Sequence, residues 1–356
     1  MIHHIFRLST VLITALITAL LFASCDKEET ETDPGLPDIV PGEGLFILNE
    51  GNYGWGNASL SYYDKVNQEI HHNLYQKANG EHPGDVLQSA FLNGNELWLI
   101  VNNSGKVAVT DPVSLEQTHV ISGLTSPRYM TMASNATGYI TDLYAGKVHI
   151  VDIQQKAVKG FVEVNGWTEE IIIFGDYAVT PGVESGQLYA IDIATNKLVD
   201  SLEVPPGPVS MTTDHDGHLW VLSGGDPLLK SRPGLYQVDK EDFTIRSKHL
   251  LPDEETTYSR LVSCPEGKTL YFLGGDVYSM ATEPERTSPE TFIQADGRIF
   301  YGLAVDPDNG DIYVSDAVDY VQRGQMLRHD PNGNLTDIRD TGIIPGGFIF
   351  FRENQF

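Results

Sequence analysis

Five times in this chain a glycine opens a short run of apolar and alternating residues that ends on an aspartate or its neighbour. The copies are Gly105–Asp111, Gly146–Asp152, Gly186–Asp192, Gly234–Asp239 and Gly324–Asp330. Measured from aspartate to aspartate, the first four lie 41, 40 and 47 residues apart. Weaker copies at Ala58–Asp64 and Gly275–Met280 bring the set to seven. A period of about 40 to 50 residues, built from short strands and turn residues, is the signature of a β-propeller, in which each repeat forms one blade. Repetition also explains how roughly 310 residues can fold as one body, since a single apolar core stops growing near ~250–300 residues.

The strands of a blade follow from composition. Each copy is preceded by a strongly apolar segment, such as Glu96–Val101, Gly138–Thr141, His218–Leu222 or Asp311–Ser315, as buried central strands should be. Each is followed by a more polar one, such as Ala157–Glu163, Lys197–Glu203 or Thr244–Leu250, which suits an outer edge. Innermost strands are predicted near Val86–Leu92, Arg128–Ala133, Glu169–Phe174, Val209–Asp214, Ser259–Ser263 and Tyr301–Asp306. That is six for seven blades, because the first blade begins at Leu45 without one. Ile343–Phe351 can supply the seventh. The expected fold is therefore all-β, a seven-bladed propeller over residues 44–356, closed by the C-terminal strand pairing into the first blade.

The N-terminal segment reads differently. His3, His4 and Arg7 are followed by an apolar run from Val11 to Phe22 and then by Ala23-Ser24-Cys25. This is the pattern of a lipoprotein signal peptide over residues 1–24, with Cys25 as the acylated residue. Phe22 departs from the usual leucine three positions before the cysteine. Asp26-Lys27-Glu28-Glu29 resembles the lipoprotein export signal of Bacteroidetes, which implies an outward-facing position on the outer membrane. Residues 25–43 are acidic, proline-bearing and nearly free of large apolar side chains, so a flexible tether is expected there.

With Cys25 lipidated, Cys264 has no partner and reads as a small core residue. A formal charge of −26 with only 23 Lys and Arg speaks against nucleic acid as a partner. The sequence carries no Cys-x-x-Cys or His-x-His cluster, no Gly-x-Ser-x-Gly elbow and no phosphate-binding glycine loop. His71-His72 is a neighbouring pair whose side chains point apart on a strand, His215 lies in an Asp-His-Asp-Gly turn, and Asp306–Asp311 reads as a tight turn rather than a calcium loop. No catalytic residue and no metal site are expected.

Chemistry collects instead in the loops that a propeller gathers at one end of its channel. These loops carry Tyr53, Trp55, Tyr129, Tyr144, Trp167, Tyr258, Phe300, Tyr301 and Tyr320, interleaved with Asn49, Asn52, Asn102, Asn103 and three arginines, Arg128, Arg260 and Arg298. Aromatic faces beside amide and guanidinium donors suit a large, partly flat ligand with polar edges. The ligand-binding expectation rests on Asn49, Asn52, Tyr53, Trp55, Asn102, Arg128, Tyr129, Tyr144, Trp167, Tyr258, Arg260, Arg298, Tyr301 and Tyr320.

Leu45–Asp64, LFILNEGNYGWGNASLSYYD, resembles the opening blade of Bacteroidetes propeller lipoproteins related to the YncE-like and surface-layer propellers. Within that group the chain is most similar to the BtuG-type surface lipoproteins, and Asn49-Glu50-Gly51-Asn52 is the most specific part of the likeness. The resemblance implies seven blades, noncovalent capture of cobalamin (vitamin B12) and related corrinoids, transfer to a BtuB-like TonB-dependent transporter, and no catalytic residues. Aromatic rings would then pack on the macrocycle, asparagines would meet its amide edges, and an arginine would meet its phosphate. Two other readings stay open: a glycan- or protein-binding surface propeller, and a metal-dependent lyase or lactonase drawing on Glu50, Asp85, Glu169, Asp226 and Asp316.

Overall fold

The computed structural model describes residues 35–226, 231–252, 256–283 and 288–352. The signal peptide, Cys25 and the first part of the tether lie outside the described residues. Among those described, 28 strands form seven four-stranded antiparallel sheets. Strand β1 (Gly44–Asn49) pairs with β2 (Ser59–Asp64) on one side and with β28 (Pro345–Phe350) on the other, and β3 (Glu69–His71) completes that sheet. The last strand is therefore the innermost strand of the first blade, as the strand count predicts. The other inner strands are β4 (Leu87–Asn93), β8 (Pro127–Ser134), β12 (Ile172–Phe174), β16 (Pro208–Thr213), β20 (Ser259–Ser263) and β24 (Phe300–Val305).

What binds blade to blade is apolar surface that no single four-stranded sheet can bury alone. Trp98, Ile100 and Val107 of the second blade pack with Met130, Ile140 and Val151 of the third. Val179 and Leu188 of the fourth meet Leu219, Val221 and Tyr236 of the fifth. At the ring closure Leu45, Ile47, Tyr63 and Phe348 of the first blade meet Tyr313 and Met326 of the seventh. The outer strands carry the polar, exposed sequence expected of them, for instance over Lys197–Glu203.

Polar groups fasten the closure. Asn49 is fully buried; its amide nitrogen donates to Ser61 Oγ at 3.0 Å and to the Ser59 carbonyl at 3.2 Å, and its Oδ1 accepts from the Gly342 N–H at 2.9 Å. The Glu50 and Gly51 N–H groups donate to the carbonyls of Ile344 and Ile343. Lys65 on the first blade pairs with Asp306 on the seventh at 2.9 Å, and the Asp308 N–H donates to the other Asp306 oxygen, so Asp306 serves both the turn and the ring. Asn49, expected to touch ligand, is instead part of this clasp, because every polar atom of its amide is spent on the backbone and on Ser61.

Two features differ from the sequence expectation. Folded structure begins before Gly44, in the compact unit that starts at Asp38: Ile39 is buried, the Gly42 N–H donates to the Phe351 carbonyl, and the Tyr62 hydroxyl donates to the Val40 carbonyl. Residues 38–43 thus leave the tether because Ile39 and this backbone pairing give them surface to bury. A short helix, α1 (Leu74–Asn79), follows the first blade; it ends at Gly80, whose φ of 77° continues no helix, and it buries Leu74 and Tyr75. No helix among the described residues is long and apolar enough to cross a membrane.

Candidate functional site

Every inner strand carries an extra residue at the same end, and that of the third blade carries a second one, Ala133, near its other end. In the second blade Leu87 faces Val101 and Ser89 faces Ile100, so Gln88 is extra. In the third, Pro127 faces Asp142 and Met130 faces Ile140, leaving Arg128 and Tyr129 opposite Thr141 alone. The fifth, sixth and seventh blades repeat this at Val209, at Arg260-Leu261 and at Tyr301-Gly302. In the fourth, Thr168 bridges Gly182 and Ile172 pairs with Val179, so Glu169, Glu170 and Ile171 oppose two residues. Gly346 is the extra residue in the first blade. A β-bulge leaves its extra residue unpaired, bends the strand and re-aims a side chain. Here the re-aimed side chains Gln88, Arg128, Tyr129, Glu169, Glu170, Val209, Arg260 and Tyr301 line one cavity of about 700 Å³ at the channel mouth. Gly346 has no side chain to contribute. The Glu50 carboxylate occupies that space instead, since a Cβ on Gly346 would collide with Glu50 Oε1.

Backbone strain collects at the same wall. Val86, Arg260, Tyr320 and Ile344 all line the cavity with φ between 53° and 62°. For the β-branched Val86 and Ile344 this is a strongly disfavoured conformation, costing about 1–3 kcal/mol each. Such strain persists where the surroundings over-determine it, and functional sites are where it concentrates.

The floor is a charge cluster. Arg128 reaches across to the next blade and grips Glu169 with two hydrogen bonds, Nε to Oε2 at 3.0 Å and Nη2 to Oε1 at 2.7 Å, while its Nη1 donates to Gln88 Oε1. Trp167 Nε1 donates to Glu169 Oε1 at 2.7 Å. Arg260 Nη1 donates to the Tyr129 hydroxyl at 2.8 Å and its Nε to the Tyr301 carbonyl at 3.4 Å, with Glu50 Oε1 3.8 Å from Nη2. The Tyr301 hydroxyl donates to Glu50 Oε2 at 3.0 Å, and Glu50 Oε1 has no hydrogen-bond partner. Glu170 accepts from Ser210 Oγ and from the Met211 N–H. Burial raises the Glu50 carboxyl above its ordinary value, against the opposing pull of Arg260 and the Tyr301 hydroxyl.

Glu170 is pushed up to about 7, chiefly by burial, with Glu169 adding to the rise and Met211 N–H, Ser210 and Arg260 opposing it. The folded state therefore holds a proton that the unfolded chain has released between pH 4.5 and about 7. Stability conferred by the neutral form is complete below that window and is lost as pH rises through it. Replacing Glu170 with Gln is expected to flatten this slope and to stabilise the protein at pH 8 by ~1–2 kcal/mol, less than the full shift implies because the pocket admits water. Urea denaturation of both chains at pH 5 and pH 8 measures it.

Around the floor stands an aromatic rim. Tyr53, Trp55 and Tyr144 are 75%, 78% and 77% exposed. Their loops are fixed by hydrogen bonds: the Gly54 N–H and the Asn103 amide both donate to Asp85 Oδ2, and the Asn52 amide donates to the Tyr320 carbonyl. Asp142 holds the Tyr144 loop through the N–H groups of Thr125, Ser126, Tyr144 and Ala145. Burial opposes its charge, yet His149 and these N–H groups keep its carboxyl below the ordinary value. Tyr301 and Tyr320 meet edge to face at 5.7 Å.

The cavity wall thus unites Tyr53, Asn102, Arg128, Tyr129, Tyr144, Tyr258, Arg260, Tyr301 and Tyr320 of the expected residues. Their roles are not all those expected. Tyr258 is almost wholly buried between Phe272 and Tyr278 and serves the core. Asn102 spends its amide on the Pro127 carbonyl. Asn52 braces the rim, Trp55 stands on it outside the wall, and Trp167 positions Glu169. Arg298 lies elsewhere, lining a second cavity with Phe292, Asp296 and His329, its Nε 3.9 Å from Asp316 Oδ2. Sequence reasoning missed Gln88, Glu170 and Ser210 and treated Glu50 and Glu169 only as metal ligands. A signal was present in the charged residues that open inner strands, Arg128, Glu169-Glu170 and Arg260. Among the described residues no three His, Cys, Asp or Glu side chains are so placed that they could hold a metal ion.

Solved structures of low sequence identity share the architecture. A quinonprotein alcohol dehydrogenase-like protein from Bacteroides thetaiotaomicron superposes with a TM-score of 0.67 at 14% identity, over 87% of this chain and 78% of that one. A protein from Lactobacillus plantarum gives 0.67 at 13%, over 86% and 99%. Hydrazine synthase of Kuenenia stuttgartiensis gives 0.62 at 17%, over 71% and 85%. At such identities the likeness carries the fold alone. No curated protein matches the sequence. The family model described as a domain of unknown function, DUF5074, matches residues 43–325, and the chain belongs to that family.

Proposed function

We propose that this chain is a surface lipoprotein, anchored through Cys25, that captures vitamin B12 and related corrinoids noncovalently and passes them to a TonB-dependent outer-membrane transporter. The observation that carries this reading is the convergence of exposed rings, Tyr53, Tyr144 and Tyr320, around one polar-floored cavity. Flat apolar ligand faces stack on such rings, while a fringe of polar groups meets the floor. At about 700 Å³ the cavity falls within the range of small-molecule sites, roughly 300–1,000 Å³, so a wide macrocycle would rest on the rim with one edge inserted. The resemblance of Leu45–Asp64 to corrinoid-capturing lipoproteins supports the same ligand. Arg128 and Arg260 do not serve as phosphate donors in this reading, since Glu169, Gln88, Tyr129 and Tyr301 already engage them. The nucleotide loop of the ligand then faces solvent.

Isothermal titration of residues 26–356 with cyanocobalamin, and with cobinamide for comparison, is expected to give one-to-one binding of similar strength for both. Tyr144→Ala should weaken binding about tenfold, with no change in melting temperature because the ring is exposed. A folded chain that gives no heat with either ligand ends the corrinoid reading and turns the search to glycans and proteins as partners of the aromatic rim.

A further inference from the structure

The floor carries three carboxylates, Glu50, Glu169 and Glu170, against two guanidinium groups, Arg128 and Arg260. Both cations are already paired: each of the three Arg128 nitrogens donates within the protein, and Arg260 donates to the Tyr129 hydroxyl and the Tyr301 carbonyl with its Nη2 3.8 Å from Glu50 Oε1. The acceptors are in surplus. Glu50 Oε1 is enclosed without a hydrogen-bond partner, and the part-buried Glu170 carboxylate faces the cavity wall beside Ser210. One donor remains. The Tyr129 oxygen accepts from Arg260 Nη1 and, at 3.5 Å, from Gln88 Nε2, which leaves its own proton to donate into the cavity that it lines.

We infer that this floor is a specificity subsite for an uncharged primary amide, with the ligand N–H groups on Glu170 and its carbonyl on the Tyr129 hydroxyl. The inference rests on the capture reading above and names the part of the ligand that reading leaves unassigned. A carboxylate of the same shape is disfavoured at pH 8, since it would enter a cluster whose carboxylates outnumber its guanidinium groups and whose cations are already paired.

The test compares cyanocobalamin with the monocarboxylic acids obtained by hydrolysing one of its peripheral amides at a time, at pH 8. At least one acid is expected to bind the intact chain about tenfold more weakly than the parent, and Glu170→Gln should bring that acid to within about threefold of it. Tyr129→Phe should weaken the parent itself by about tenfold. If all acids bind as well as the parent, or if Glu170→Gln leaves the discrimination intact, the amide subsite is wrong. If cyanocobalamin itself does not bind, the capture reading fails, and crystals soaked in propionamide and in propionate decide the subsite separately. Propionamide seated between Glu170 and Tyr129, with propionate absent, sustains it; both bound, or neither, overturns it.

Discussion

A chain cut after Thr341 is expected to lose cooperative folding. The cut removes β28 and with it the five backbone pairings from Leu45 through Asn49. It also removes Phe348 and Phe350 from the cluster that joins the first and seventh blades, and the Gly342 N–H that satisfies the buried Asn49 Oδ1. Each lost aromatic forfeits roughly 2–3 kcal/mol of burial, and each buried group left unpaired costs a further 1–3 kcal/mol. Together these approach the whole stability of an ordinary domain, about 5–15 kcal/mol. Calorimetry should show no sharp transition, or one lowered by more than about 15 °C. A truncated chain that melts within a few degrees of the intact one would show that the ring does not depend on its last strand. Phe348→Ala offers a graded version, with an expected loss of ~3 kcal/mol.

Replacing Arg128 with Met is the second large effect. Arg128 is 18% exposed at its side chain and Glu169 only 6%, and the pair joins the inner strands of two neighbouring blades. Removing the cation strands a nearly buried carboxylate whose remaining donor is Trp167. Breaking one partner of a buried pair costs ~3–5 kcal/mol, and partial access of water at the pocket brings the expected loss to ~3 kcal/mol. The double replacement Arg128→Met with Glu169→Gln should recover most of it, because the amide neither needs a cation nor carries a charge. Urea denaturation of both single variants, the double variant and the parent closes the cycle. If the double variant is as unstable as Arg128→Met alone, the arginine matters for packing rather than for its charge.

Much of the fold was legible in the sequence because the repeat is local. An apolar strand, a glycine and an aspartate recur at fixed spacing, and counting inner strands exposes the missing one at the start. The site was legible only at its rim, where Tyr53, Trp55 and Tyr144 sit in loops that a propeller must bring together. The floor resisted reading for a physical reason. Strand alternation assigns side chains to faces by parity, and one inserted residue reverses the parity beyond it. Arg128 looks like a free anion receptor until Glu169, 41 residues away on the next blade, is placed beside it. Asn49 looks like loop chemistry within Asn49-Glu50-Gly51-Asn52 until β28 arrives from the other end of the chain to enclose it. Such pairings follow from ring closure, which no local pattern records.

The seven bulges have a bearing on how a family of this kind diversifies. Each inserts one position that the ladder leaves unpaired, and all but Gly346 turn a side chain toward the mouth of the channel. Substitution at such a position changes the chemistry of the mouth and leaves the apolar clusters between blades in place, but where the side chain bonds to its neighbour, as Arg128 does to Glu169, the two must change together. A ring of seven blades then behaves as a lock whose pins are partly coupled to one another. Relatives that keep the same glycines and aspartates can carry different residues at the pins and accept different keys, and a shared fold says little about a shared ligand until these seven positions are compared.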